Sequence, residues 1–137
     1  MPDKRASMKK LLNIVFILPL LMMGSLVNGQ DLVLAQRIVE HHLSASENAN
    51  IAEVMSDYAE NAVLISDGIV IKGKAAIRQT FEQLLTGADP LPLKVTRSAY
   101  EENIGFIVWT MENGLEGSDT FIIENEKIIV QTVVLFP

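Results

Sequence analysis

Asp119 is the first residue in this 137-residue chain whose position suggests chemistry. It lies in the run Gly117 to Ile123, which together with a second apolar run, Ile128 to Phe136, predicts a β-hairpin. Side chains alternate along a strand, so Asp119 shares its face with Phe121 and Ile123. A carboxylate on an apolar face costs free energy unless it is paired, hydrogen-bonded or protonated. The pattern indicates a functional site, and the alternative is a carboxylate at a strand edge that faces water.

His42 is the second candidate. The segment from Asp31 to about Ser46 has helical spacing, and His42 falls near the middle of its apolar stripe, whereas His41 lies on the flank. The stripe is formed by Leu32, Ala35, Ile38, Val39 and Leu43. A histidine in such a stripe is either a hydrogen-bonded core residue or a catalytic group that faces an acid. Both interpretations stay open at this point.

Two more helices and two short strands are predicted in the first half of the chain. Asn50 caps a short helix, with Glu53 placed to complete a capping box. The dipeptide Asp67-Gly68 then predicts a tight hairpin turn between two short strands, and Lys74 to Leu85 predicts the next helix. The two strands are Ala62 to Ser66 and Ile69 to Ile71.

The second half of the chain predicts four consecutive strands with short connections. Neighbouring strands should therefore pair antiparallel, which gives an α+β architecture with a curved sheet covered by helices on one face. The strands are Leu93 to Tyr100, Ile104 to Met111, Leu115 to Ile123 and Ile128 to Phe136. The last strand is apolar on both faces, with Ile128, Val130, Val134 and Phe136 expected on one of them. A second copy of the chain is the simplest cover for the outer face, so a homodimer is expected.

Residues 1–29 have the layout of a secretory signal peptide. Lys9 and Lys10 precede the apolar run Leu11 to Met23, and small residues follow as far as Gly29. Cleavage after Gly29 leaves one exported domain, residues 30–137, in the periplasm or outside the cell. Met8 is an alternative start, and an uncleaved membrane anchor is the alternative to cleavage, although the run is shorter than the ~20 apolar residues of a spanning helix.

Composition excludes several function classes. The net charge is −6, and removal of the signal peptide takes away mostly basic residues, so nucleic acid and anionic membrane surfaces are not expected as partners. The chain has no cysteine, which excludes disulfides and thiolate chemistry. No metal site is expected, because adjacent histidines on a helix point about 100° apart and no spaced set of carboxylates converges with them.

The sequence resembles the superfamily that includes nuclear transport factor 2, ketosteroid isomerase and the SnoaL-like polyketide cyclases. The resemblance covers the mature chain and rests on four motifs taken in order. These are His41 to Ala45, Asp57 to Val63, Gly73 to Ile77, and Gly117 to Phe121 followed by Lys127, Ile128, Gln131 and Thr132. It implies a cone-shaped curved antiparallel sheet packed against three N-terminal helices, also described as a cystatin-like roll, with a pocket for a small apolar molecule.

The resemblance also implies roles for individual residues. Asp119 matches the aspartic acid that donates a hydrogen bond to a developing oxyanion in the isomerases, and His42 falls where those enzymes place a tyrosine. The position of the catalytic base falls on Ser66 or Asp67, and Asp67 has an alternative role in the hairpin turn. The expected pocket wall comprises Tyr58, Phe121, Trp109, Ser66 and Ile38, and Phe106 is expected in the core or the same wall.

The sequence therefore predicts an exported domain that binds a small apolar molecule. In the first hypothesis it is an isomerase or cyclase without a cofactor or metal, in which Asp119 and His42 polarise or protonate a carbonyl oxygen. In the alternative hypothesis it is a non-catalytic module for ligand binding or dimerisation.

Overall fold

The structure is a computed structural model that describes residues 32–86 and 93–137. The described residues form three helices and six strands. In chain order these are α1 (Leu34–Glu47), α2 (Ile51–Ser56), β1 (Tyr58–Ser66), β2 (Ile69–Lys72), α3 (Lys74–Thr86), β3 (Lys94–Glu101), β4 (Ile104–Thr110), β5 (Glu116–Glu124) and β6 (Lys127–Leu135). The predicted signal peptide, residues 30 and 31, and residues 87–92 before β3 lie outside the described residues.

All six strands belong to one sheet with the order β2-β1-β6-β5-β4-β3. Each of the four strands of the second half pairs antiparallel with the next strand in the chain, as predicted. The pair β1–β6 is parallel, which the expectation of an antiparallel sheet did not include. This pair brings the first strand beside the last one. The α+β class with a curved sheet and three helices is confirmed.

Two hairpins close through turns with left-handed backbone. Asp67 and Gly68 have φ values of 49° and 84°, and Asn125 and Glu126 have 49° and 60°. Two consecutive positive φ values are typical of the two-residue turn whose twist matches the flanking strands. Asp67 is exposed, so the structure confirms its role in the turn.

A bulge at Ile129 sets which residues of β6 face the helices. In the pairing of β5 with β6, Ile122 lies opposite Val130 but Ile123 lies opposite Ile128, so Ile129 is the extra residue. Ile128 therefore lies on the same side as Gln131, not with Val130 and Val134. The predicted face of β6 was wrong for this reason, because unbroken alternation cannot include an inserted residue.

The core lies between the helices and the inner face of the sheet. Helix α1 contributes the buried residues Ala35, Val39, His42 and Ala45. The inner face of β5 contributes Gly117, Asp119, Phe121 and Ile123, as the alternation predicted. Phe106 is 37% exposed on the outer face of the sheet, so its expected place in the core was wrong.

Helix α2 begins as the sequence predicts. The side chain of Asn50 accepts a hydrogen bond from the backbone N–H of Glu53 at 3.3 Å. The carboxylate of Glu53 pairs instead with His41, at 3.2 Å from Nε2. Among the described helices, none has the length and apolar character required to cross a membrane.

Candidate functional site

A cavity of about 470 Å³ lies between α1, α3 and the inner face of the sheet. Its wall is mostly apolar, and its polar residues are His42, Asp119, Gln131 and Ser66 together with Ser46, Glu47, Thr80 and Asn113. Leucine side chains of α1, β1 and α3, Phe81, Trp109, Met111 and Val133 supply much of the apolar surface. A mainly apolar hollow with a few convergent polar groups is the usual form of a small-molecule site.

Asp119 is fixed in the wall by two hydrogen bonds. The indole Nε1 of Trp109 donates to Oδ1 at 2.8 Å, and Nε2 of Gln131 donates to Oδ2 at 2.8 Å. Residue Asp119 is only 7% exposed, which excludes the alternative of a water-facing carboxylate at a strand edge. Each carboxylate oxygen has two lone-pair sites, so each keeps one beyond the bond it accepts from the protein.

The carboxamide of Gln131 is oriented in turn by Tyr58. The Tyr58 hydroxyl donates to Oε1 of Gln131, so the amide directs its NH₂ group at Asp119. Burial raises the pKa of Tyr58 well above its ordinary value, which keeps the hydroxyl protonated as a donor. The direction of the hydrogen bonds is therefore fixed from Tyr58 through Gln131 to Asp119.

Two opposing effects set the pKa of Asp119. Burial raises the pKa because it disfavours the charged carboxylate, and the hydrogen bonds from Trp109 and Gln131 act in the opposite direction. Burial has the larger effect, so the net pKa is higher than that of an exposed aspartate. A raised pKa makes Asp119 a stronger base when it is ionised and places its titration closer to neutral pH.

His42 also lies in the cavity wall and is 3% exposed. Its ring makes edge contacts with Tyr58, Phe81 and Phe121, with centroid distances of 5.4 to 5.6 Å. Burial lowers its pKa to about 4, with a smaller contribution from neighbouring His41. The imidazole is therefore neutral at neutral pH, and a cationic His42 that protonates a carbonyl oxygen is not favoured.

His41 belongs to a polar cluster that the sequence did not predict. Its Nδ1 lies 2.8 Å and 2.9 Å from the two carboxylate oxygens of Asp57, and its Nε2 lies 3.2 Å from Glu53. Asp57 is buried, whereas the His41 side chain is 48% exposed. The expectation that no carboxylates converge with the histidines was wrong, because Asp57 meets α1 only through tertiary packing. The sequence signals nearest to Asp57 were the Asn50 cap and the acidic first turn of α2, and neither of them indicates a contact between Asp57 and α1.

The predicted wall residues are divided between the cavity and the core. Ser66 and Trp109 lie in the cavity wall together with the two predicted catalytic residues, Asp119 and His42. The other three predicted wall residues, Tyr58, Phe121 and Ile38, do not contribute to it. Tyr58 and Phe121 are fully buried behind the wall, where they contact the ring of His42, and Ile38 packs against the core.

Asp67, the alternative position for a catalytic base, lies in the β1–β2 turn and is not part of the cavity wall. Within residues 32–86 and 93–137, no three or more His, Cys, Asp or Glu side chains are arranged to hold a metal ion.

Comparison with known proteins identifies the fold. No family model matches the sequence, and no curated protein matches it. A SnoaL-like protein of unknown function from Burkholderia thailandensis is 13% identical with a TM-score of 0.69, covering 80% of this chain and 99% of that one. An NTF2-like protein of unknown function from Cytophaga hutchinsonii is 14% identical with a TM-score of 0.66, covering 80% and 96%.

A third solved structure carries a suggested activity. It is a proposed polyketide cyclase from Sinorhizobium meliloti, 14% identical with a TM-score of 0.65, covering 72% of this chain and 94% of that one. At these identities the similarity establishes the NTF2-like, SnoaL-like fold, which carries many unrelated activities.

Proposed function

We propose that this protein binds a small, mainly apolar molecule in the cavity and transfers a proton to or from it through Asp119. The reaction class is an isomerisation or cyclisation that needs no cofactor. One observation carries the proposal: a buried carboxylate, held on both oxygens by N–H donors, forms part of the wall of an apolar cavity of about 470 Å³.

The arrangement suits a general base. Donors on both oxygens fix the carboxyl group, and each oxygen retains a lone pair for a proton on the bound molecule. Because the pKa of Asp119 is raised, the group takes a proton more readily than an exposed aspartate and returns it later in the reaction as a general acid. His42 is neutral and supplies a hydrogen-bonding edge, not a positive charge.

A small ketone tests this role without knowledge of the natural substrate. We expect the protein to accelerate exchange of the α-protons of 2-tetralone with D₂O, followed by proton NMR. General base catalysis contributes roughly 10²–10⁴-fold, so Asp119→Asn should lower the accelerated rate by about that factor. Asp67→Asn is the matched control, since Asp67 lies in the exposed β1–β2 turn. Equal acceleration by wild type and Asp119→Asn would refute the assignment.

A second candidate function is ligand binding without catalysis. It is favoured by the hydrogen bonding of Asp119, because a carboxylate that already accepts a bond on each oxygen also meets the needs of a purely structural group. In that case 2-tetralone binds, as measured by ligand-observed NMR, while its exchange rate stays at the level in buffer.

We further propose that the protein acts as a homodimer after export. The support for a dimer is the outer face of the sheet, where Ile104, Phe106 and Val134 are 46%, 37% and 52% exposed. The support for export is the signal-like pattern of residues 1–29. Native mass spectrometry of protein recovered from the exported fraction tests both, because cleavage after Gly29 and subunit number each change the measured mass.

A further inference from the structure

The ring nitrogen Nδ1 of His42 has no hydrogen-bond partner although it is fully buried. Across the described ranges, it is the only side-chain nitrogen or oxygen that is fully buried and has no hydrogen-bond partner. An unpaired buried polar group is costly, and native structures rarely keep one without a reason. The carboxylate oxygen Oδ2 of Asp57 lies 3.9 Å from this nitrogen, beyond hydrogen-bond length but close enough for the two groups to interact electrostatically.

Asp57 is a buried carboxyl group surrounded by ionisable neighbours from several elements. His41 and His42 approach it from α1, Glu53 from α2 and Lys127 from the start of β6. The pKa of Asp57 is raised overall because burial has the largest effect, whereas the hydrogen bond and charge of His41 act in the opposite direction. Asp57 in turn raises the pKa of His41, so the two groups favour an ion pair. An ionised Asp57 presents only acceptors to its surroundings.

The orientation of His42 relative to Asp57 has a consequence for the neutral ring. A lone pair on Nδ1 would lie near the carboxylate oxygen Oδ2, which is repulsive, whereas a proton on Nδ1 is attracted to that oxygen. The partner of one ring nitrogen decides which of the two nitrogens carries the proton. The other ring nitrogen of His42, Nε2, is not one of the buried atoms that lack a hydrogen-bond partner. His42 also contributes to the cavity wall.

We infer that Asp57 keeps the proton on Nδ1 of His42, so that Nε2 faces the cavity as a hydrogen-bond acceptor and recognises a hydroxyl group of the bound molecule. Asp57 is thus a positioning residue that acts through His42. The inference rests on the proposed function for the existence of a bound molecule, and it adds the chemical class of that molecule: an apolar compound with an alcohol, phenol or enol group.

The proton position is measurable in the free protein. The chain contains two histidines, so a two-bond ¹H–¹⁵N spectrum of protein labelled with ¹⁵N-histidine resolves both rings. At pH 7 we expect His42 to be the Nδ1–H tautomer, with Nε2 unprotonated. An Nε2–H tautomer, or an average of the two, would overturn the inference whether or not any ligand binds.

Two variants assign this proton position to Asp57. In Asp57→Asn the amide can present an N–H instead of an oxygen, so the single Nδ1–H tautomer should be lost. In His41→Lys a cation still neighbours the Asp57 carboxylate, so the tautomer should persist, and a change there would contradict the role of Asp57. Glu53→Gln serves as a control, because it removes a charge next to His41 and makes no contact with His42. If Asp57→Asn does not fold, as judged by circular dichroism, the wild-type and His41→Lys spectra still test the inference, since an Nε2–H tautomer in wild type overturns it.

Two matched probes test the ligand class. Naphthalene and 2-naphthol differ by one hydroxyl group, and a hydrogen bond to Nε2 should make 2-naphthol bind about tenfold more tightly in calorimetric titration. His42→Phe should abolish that preference while both compounds still bind. A preference that survives in His42→Phe but disappears in Asp119→Asn would overturn the inference and leave the proposed function intact. If neither compound binds, the proposed function fails, and the tautomer spectrum decides the role of Asp57 by itself.

Discussion

The low pKa of His42 predicts a specific loss of stability in acid. In the folded protein burial lowers the pKa from its ordinary value of 6.5 to about 4. In the unfolded chain the imidazole returns to its ordinary pKa, so the unfolded state binds more protons between these two values. Protonation therefore favours unfolding, and the stabilising contribution is complete above pH 6.5 and is lost as the pH falls towards 4.

The size of this effect follows from the shift in pKa. Each unit of difference corresponds to 1.36 kcal/mol, so the full loss is roughly 3 kcal/mol below both pKa values. Between pH 7.5 and pH 5.0 the linkage relation gives about 2 kcal/mol. Solvent screening does not reduce this free energy, because the His42 side chain is only 3% exposed.

Urea denaturation at the two pH values measures the loss, provided that wild type is compared with His42→Phe. The raised pKa values of His41, Asp57 and Asp119 act in the opposite direction, since protonation of those groups is favoured in the folded state. These contributions remain in both proteins and largely cancel in the comparison. We expect the fall in unfolding free energy on acidification to be about 2 kcal/mol smaller in His42→Phe than in wild type.

The control for this prediction is His41→Gln. It removes the exposed histidine and leaves the buried one, so the acid loss should persist. Equal pH dependence in wild type and His42→Phe would refute the argument that the ring is buried and neutral. An NMR titration in which His42 becomes protonated near pH 6.5 would contradict it in the same way.

Three further predictions concern the surroundings of the site. Gly117→Ala should lower the unfolding free energy by about 1–3 kcal/mol in urea denaturation, because the added Cβ would lie 2.7 Å from both Cζ2 of Trp109 and a backbone oxygen; an unchanged midpoint would contradict this. Tyr58→Phe removes the hydroxyl that donates to Gln131 and should cost about 1–3 kcal/mol by leaving a buried amide oxygen unpaired; thermal unfolding of the variant tests it, and an unaltered transition would count against the chain of bonds to the site. Phe106→Glu places a charge on the outer face of the sheet and should give a monomer in sedimentation velocity, whereas an unaffected dimer would exclude that face as the interface.

Much of the secondary structure follows from local sequence signals. The helical stripe predicted α1 to within a few residues, and Asn50 and the Asp67-Gly68 turn fixed the neighbouring boundaries. Alternation along β5 correctly placed Asp119 on the buried face. These features depend on residues close in the chain, and capping, turn geometry and side-chain alternation act over the same short range.

The partners of the site residues were not predictable in the same way. Trp109 and Gln131 come from two different strands, and a strict alternation along β6 does not identify Gln131 as a neighbour of the inner face of β5. The bulge at Ile129 brings Gln131 to the inner face beside β5, and the local residue types do not indicate that a bulge is present. Asp57 likewise reaches the helix through packing, sixteen residues from His41.

The sequence by itself determined where the acid and the imidazole stand on their own elements, because periodicity is a property of a single strand or helix. Only the tertiary structure decided their chemical state. Burial sets the pKa of Asp119 and of His42, and hydrogen-bond partners from distant segments set the direction in which each group donates or accepts. Both effects depend on which surfaces the fold removes from water, and no single element contains that information.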